Sequence, residues 1–260
     1  MASDTTSRDG DGAHPPTGPR SATEAAPELD PRVAAGTWVV VPVYNESRVI
    51  GEVLAALRAH FPNVVAVDDG SSDGSWDAVR RATPHALRHL VNRGQGAALQ
   101  TGTEYALRMG AERIAHFDAD GQHRVEDLAR MAALVASGAC DIALGDRFGG
   151  DLASMPPARR ALLRAAVLFH RFASGIRLND VHNGLRVLSR TAAERMEITA
   201  DRMAHASELV DLVARSGLRV AEVPMTIRYT DYSLAKGQRW TGGFRILFHY
   251  LVARSLGPTR

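Results

Sequence analysis

Lysine is almost absent from this chain. Of its 31 Lys plus Arg residues all but one are Arg, and the exception is Lys236. Surface cations rarely depend on which basic residue supplies them. A lone survivor of such a bias therefore marks a place where a compact ammonium serves and a planar guanidinium does not. Cysteine is equally sparse. Cys140 stands alone, which excludes an internal disulfide and fits a reducing, cytoplasmic setting. No uninterrupted apolar run approaches the ~18 to 20 residues that cross a bilayer, so the chain is expected to be soluble or to rest on the cytoplasmic face of a membrane. There is no repeat at a solenoid period. Nor is there a strong excess of one charge: the balance is +2, which is no nucleic-acid signature, and no nucleic acid is expected as a partner.

Large apolar side chains are scarce over residues 1 to 36. Six acids (Asp4, Asp9, Asp11, Glu24, Glu28, Asp30), three Arg and five Pro leave that stretch unable to offset its ordering entropy. It reads as a disordered tail lacking the basic start and apolar core of an export signal. Without it the chain carries about +5, a mild bias toward anionic partners. The 45% hydrophobic content suffices for one large domain.

From residue 37 onward apolar runs and helical stripes alternate. WVVVPVY (38 to 44) has the continuous character of a strand buried on both faces. Residues 47 to 61 follow with a helical stripe through Val49, Ile50, Val53, Leu54 and Leu57, opened by Ser47 as a cap. Further strands are expected over 64 to 69, 85 to 92, 113 to 118 and 141 to 148, separated by helices over 75 to 83, 96 to 110 and 125 to 138. That rhythm predicts an α/β fold with parallel pairing and right-handed crossovers. Beyond residue 150 it changes to a long Arg-studded helix (157 to 176), a strand (186 to 190), helices (191 to 196 and 203 to 217), a strand (218 to 229) and a final amphipathic helix within 239 to 260.

Ligands of an open parallel sheet bind beyond the carboxyl ends of its strands. Here those ends carry Pro42, Tyr44, Asn45 and Glu46; Asp68, Asp69, Gly70, Ser71, Ser72 and Asp73; Asp118, Asp120, Gln122 and His123; and Asp146 with Arg147. Loops are polar anyway, but four on one edge with the same acidic character call for a cation. Crowded carboxylates repel unless they share one. All-oxygen donors suit a hard divalent ion, Mg²⁺ or Mn²⁺, which keeps coordination positions for substrate phosphates. A diphosphate held by that metal, with Arg147 and Lys236 opposite, satisfies the whole set. His123 is either a fourth ligand or a hydrogen-bonding residue. VNRGQGAAL (91 to 99) approaches a dinucleotide fingerprint but has Leu99 at the third glycine position and sits in the third crossover, which argues against a nicotinamide or flavin cofactor.

PVYNE (42 to 46), VDDGSSDGS (67 to 75), NRGQGAALQTG (92 to 102), DADGQH (118 to 123), GDRF (145 to 148), DVHNGLRV (180 to 187) and EVPMTIRY (222 to 229), in this order, resemble a family 2 glycosyltransferase of GT-A fold. Within that family the chain is most similar to dolichol- and polyprenyl-phosphate mannosyl- and glucosyltransferases. The resemblance implies a Rossmann-like, mostly parallel sheet flanked by helices, with the catalytic domain over 37 to 238. It implies that Pro42, Tyr44, Glu46, Val67 and Asp69 line the nucleoside pocket, with Asp68 and Gly94 beside them. Asp118, Ala119 and Asp120 would form the DxD motif, and Asp118, Asp120 and Gln122 the metal positions. Arg147, and either Arg159 or Arg160, would meet the acceptor phosphate, and Lys236 the donor diphosphate. Two stretches depart from the family pattern. DVHNGLR stands where relatives show D-x-T-S-G-F-R, and Thr230 replaces an Arg for which Arg228 could substitute.

The implied reaction is metal-dependent transfer of a hexose, with inversion, from a GDP- or UDP-sugar to a polyprenyl phosphate. A phosphate nucleophile is already anionic and needs no strong base. A hydroxyl acceptor would need one, with Asp180 as first candidate and Glu208 behind it. A membrane surface and a second copy of the chain are further candidate partners. Competing readings are a transferase acting on a soluble hydroxyl, a sugar-nucleotide binding protein without turnover, and a nucleotidyltransferase; the last normally carries a Gly/Arg/Lys-rich phosphate loop where this chain has PVYNE.

Overall fold

The computed structural model describes residues 29–149, 164, 167, 178–180, 183–198 and 205–227. These form seven strands and seven helices in the order α1 (Pro31–Gly36), β1 (Thr37–Val43), α2 (Ile50–Arg58), β2 (Asn63–Asp68), α3 (Ser75–Ala82), β3 (His85–Arg88), α4 (Gln95–Arg108), β4 (Arg113–His116), α5 (Val125–Ala136), β5 (Ile142–Asp146), β6 (Arg186–Ser189), α6 (Arg190–Arg195), α7 (His205–Ser216) and β7 (Val220–Pro224). The strands make one sheet ordered β3-β2-β1-β4-β6-β5-β7.

Strand β1 is buried along its whole length because both faces are covered. Its side chains alternate between two cores. Val39, Val41 and Val43 join Ile50, Leu54, Leu57 and Phe61 of the α2 region and Leu128 and Met131 of α5. Trp38 and Val40 face Ala98, Leu99 and Ala106 of α4 and Leu209 and Val213 of α7. Helix α4 lies so close to the sheet that a Cβ on Gly102 would overlap Val40. Pro42 is tolerated in this central strand because β4 pairs only as far as Val40; beyond it Pro42 faces Val67 of β2 alone, so its missing N–H costs no ladder bond on the β4 side.

Three differences from the sequence expectations have local causes. Helix α2 begins at Ile50, with Val49 at the N-cap, and Ser47 does not cap it. Asn45 turns the chain through a left-handed conformation (φ 53°), and the Ser47 N–H is held instead by Asp73 Oδ2 at 3.2 Å. Helical structure is also present before residue 37: Asp30 accepts the Arg32 N–H at 2.7 Å to cap α1, while Leu29 and Val33 pack on the core. Residues 1–28 lie outside the described residues.

The third difference shapes the site. Parallel pairing holds for β1 with β2 and β4, for β2 with β3, and for β5 with β7. Strand β6, however, inserts antiparallel between β4 and β5, with Arg186 opposite both His116 and Leu144. An antiparallel strand enters where its neighbours leave. The residues just before β6 are thereby delivered to the carboxyl edge of the sheet, beside the acidic loops.

Candidate active site

The first two loops are stitched together by side chains that accept or relay backbone bonds. Ser71 Oγ accepts the Asn45 N–H at 3.0 Å, Asn45 Oδ1 accepts the Ser72 N–H at 3.0 Å, and Ser75 Oγ accepts the Glu46 N–H at 2.8 Å. Asp73 anchors this seam, taking the Ser75 N–H at 2.9 Å and its hydroxyl at 2.5 Å on one oxygen and Ser47 on the other. Burial alone would raise the Asp73 carboxyl, but hydrogen bonds from Ser75 and then Ser47 outweigh it and hold its pKa at about 2. The folded value lies below the unfolded one, so this stabilisation is complete above pH ~4 and is lost as pH falls toward 2. Asp73→Asn is accordingly expected to destabilise the protein near neutrality, and its deficit to shrink between pH 4 and 2, as urea unfolding across that range would read.

Tyr44 stands half-exposed at this edge, as a stacking residue would, whereas Val67 and Ala119 are buried. Asp69 is also buried. Its Oδ1 accepts the Arg93 N–H at 2.9 Å and contacts His89 Nδ1 at 2.7 Å, and its Oδ2 accepts the Gly94 N–H at 2.7 Å. Gly94, at φ 98°, begins α4. Asp69 and Gly94 thus shape the loop after β3. Asp68 is fully buried; Oδ2 takes Arg88 Nε at 3.2 Å and the Ser71 N–H at 3.3 Å, and Oδ1 has no hydrogen-bond partner.

Asp118 leaves the sheet after β4 and is gripped from two sides, by Gln95 Nε2 on Oδ1 at 2.8 Å and by His123 Nε2 on Oδ2 at 3.1 Å. A third surface is the backbone of Gly184, where a Cβ would overlap the Asp118 carboxylate. Arg186 lies buried behind that turn, donating to the Asn183 carbonyl at 3.2 Å and the Gly184 carbonyl at 3.4 Å. Burial lowers its pKa to about 10 against the opposing pull of Asp118. Asp120 accepts the Gln122 N–H at 3.0 Å, which forms the tight turn through Gly121 (φ 73°). Burial first, and then the charges of Asp118 and Glu46, push its carboxyl above the ordinary range.

Among the described residues no three His, Cys, Asp or Glu side chains close a metal cage. The site instead offers two crowded carboxylates, Asp118 and Asp120, whose mutual repulsion a hard cation would relieve. This fits an ion held by one or two carboxylates and completed by substrate phosphates. His123 Nε2 already faces Asp118, and its buried Nδ1 has no partner, so it orients that carboxylate.

Across the turn, Arg147 and Asp180 form a buried two-point ion pair, Nε to Oδ2 at 2.6 Å and Nη2 to Oδ1 at 2.7 Å. Asp180 therefore presents its oxygens to a guanidinium. Glu208 lies in the first turn of α7. Arg159, Arg160, His182, Arg228, Thr230, Lys236 and the helix expected within 239–260 lie outside the described residues. Sequence reasoning missed Gln95, His89, Gly184, Arg186 and Glu222. Gln95 sits inside the NRGQG motif and Gly184 inside DVHNGLR, but no spacing rule ties either to Asp118, from which 22 and 65 intervening residues separate them.

A family model described as Glycosyl transferase family 2 matches residues 38–196. A polyprenol monophosphomannose synthase of Mycolicibacterium smegmatis is 32% identical over 213 residues, covering 77% of this chain and 80% of the relative. A UDP-N-acetylglucosamine–dolichyl-phosphate N-acetylglucosaminyltransferase of Methanococcus voltae is 27% identical over 239 residues, covering 84% and 95%. The crystal structure of glucosyl-3-phosphoglycerate synthase from Mycobacterium tuberculosis with Mn²⁺ and UDP-glucose superposes with a TM-score of 0.61 at 18% identity, over 86% of this chain and 80% of that one.

Proposed function

The chain belongs to glycosyl transferase family 2 and is a glycosyltransferase of GT-A fold; from that premise we propose that it transfers a hexose, with inversion, from a nucleoside diphosphate sugar to a polyprenyl phosphate. The observation that carries this reading is the single sheet edge on which the paired carboxylates Asp118 and Asp120 lie one turn away from the buried Arg147, through Gly184, Asn183 and Asp180. Relatives named for polyprenol and dolichyl-phosphate chemistry support the acceptor class.

Asp118 and Asp120 would hold Mg²⁺ or Mn²⁺, with Gln122 adjacent. The ion supplies charge stabilisation to the departing diphosphate. The remaining work falls to side chains. Gln95 and His123 hold Asp118 at a fixed angle, Tyr44 offers a face for the nucleoside, and Lys236 would pair with the diphosphate. Arg147, with Arg159 or Arg160, would orient the acceptor phosphate, already an anion near neutral pH, for in-line attack. No general base is then required, which agrees with an Asp180 whose two oxygens are occupied by Arg147. Such an acceptor brings the enzyme to a membrane surface. No described helix is long and apolar enough to cross one.

The test is product analysis. Protein and Mn²⁺ are incubated with GDP- and UDP-hexoses and either a short polyprenyl phosphate, the matching polyprenol or soluble alcohols. Lipid-phosphate-linked sugar of inverted anomeric configuration is expected by mass and NMR. Product on a soluble hydroxyl alone would overturn the acceptor assignment, and retained configuration would overturn the mechanism.

A further inference from the structure

Arg147 is held more tightly than a phosphate contact alone requires. Besides the two guanidinium bonds, its backbone N–H also donates to Asp180 Oδ2, at 3.2 Å. One carboxylate thus fixes both ends of the residue, and the planar fork leaves the guanidinium no rotational freedom about its Nε–Nη2 edge. Both partners are buried, so side-chain truncation on either would leave an uncompensated charge.

Asp180 is itself held. It lies outside the described helices and strands, where backbone N–H groups need acceptors beyond a helix or sheet ladder. Glu222 Oε1 takes two of them, the Asn179 N–H at 2.6 Å and the Asp180 N–H at 3.2 Å. Glu222 stands on β7 directly opposite Leu144 of β5, the strand that ends at Asp146, next to Arg147. Asn179 Nδ2 also reaches Asp146 Oδ2 at 3.4 Å. Asp146, Asp180 and Glu222 consequently lie close to one another, and of the three it is Asp180 that bonds the Arg147 guanidinium. Glu222 bears a cost for it: burial, then the nearby Asp146 and Asp180 after its backbone bonds are counted, raises its carboxyl.

We propose that Asp180, anchored through its backbone by Glu222, is the positioning residue that aims Arg147 at the acceptor phosphate, and is not a general base. The Asp180 fork fixes the Nε–Nη2 edge of the guanidinium and with it the plane and direction of the whole group. The inference rests on the reading of the acceptor as a phosphate.

Initial rates with varied donor and varied polyprenyl phosphate, in the presence of Mn²⁺, test it on wild type, Asp180→Asn, Glu222→Leu and Glu222→Gln, with thermal unfolding alongside. In Asp180→Asn the acceptor KM is expected to rise about tenfold or more, with donor KM within about twofold of wild type. Glu222→Leu should shift acceptor KM in the same direction by less. Glu222→Gln, which keeps an acceptor oxygen, should restore it to within about twofold. A collapse of kcat at unchanged acceptor KM in Asp180→Asn would make Asp180 a base and overturn the proposal. Lower melting temperatures with both KM values unchanged would make the pair merely structural and overturn it too. A wild type that forms no lipid-linked sugar overturns the functional reading itself; a wild type that does, with acceptor KM unmoved in Asp180→Asn, overturns this inference alone.

Discussion

Asp120→Ala lowers turnover by about a thousandfold or more, the expected result of removing one of the two carboxylates that would bind the metal. The fold should survive. The Asp120 side chain has one backbone partner, Gln122, and its ionised form is disfavoured by burial and by the neighbouring Asp118. Removing it relieves a like-charge contact while loosening one turn, two effects of similar size and opposite sign. Thermal unfolding separates these consequences from loss of binding. Wild type should melt higher with Mn²⁺ plus nucleoside diphosphate than without, by ligand linkage, and the Asp120→Ala protein should show no such rise. Chelation of the metal should bring wild-type turnover down to the mutant level. Normal turnover in Asp120→Ala would remove the metal assignment, because that assignment needs both carboxylates of the motif and Asp118 alone would remain.

The second large effect is expected from a methyl group. Gly184→Ala places a Cβ into the Asp118 carboxylate, which cannot swing aside without breaking its bonds from Gln95 at 2.8 Å and His123 at 3.1 Å. Either Asp118 moves or the turn before β6 does. A displacement of about 1 Å at a reacting centre costs roughly a hundredfold in rate, so turnover should fall at least that far while far-UV circular dichroism stays that of wild type. The matched control is Gly51→Ala on α2, where an added Cβ meets nothing within 4 Å. The same chemical change there should leave turnover untouched and stabilise the helix by up to about 1 kcal/mol. A fully active Gly184→Ala would mean that the position of Asp118 does not matter to the reaction.

Much of the architecture was legible because it rests on short-range patterns. The continuous apolar run of β1 announces a strand covered on both faces, and residues 38 to 43 are buried in it. The stripe through Ile50, Val53, Leu54 and Leu57 announces the buried face of α2, and all four lie in one core. Polar loops after β1, β2, β4 and β5 belong on one edge because parallel strands share a direction, and Asp118, Asp120 and Arg147 follow from that. Capping was read less well. Ser47 stands at the right spacing for a cap, but its N–H is taken by a tertiary bond to Asp73 and the cap falls two residues later, at Val49.

The sequence by itself determined the alternation of strand and helix and the acidic edge, since each depends on periodicity or on chemistry within a few positions. Only the tertiary structure decided that β6 runs antiparallel between β4 and β5. That reversal alone brings Gly184 against Asp118 and Asp180 against Arg147. Contacts between residues dozens of positions apart are selected by how whole strands pack, and no local pattern along the chain records which strand will be the neighbour.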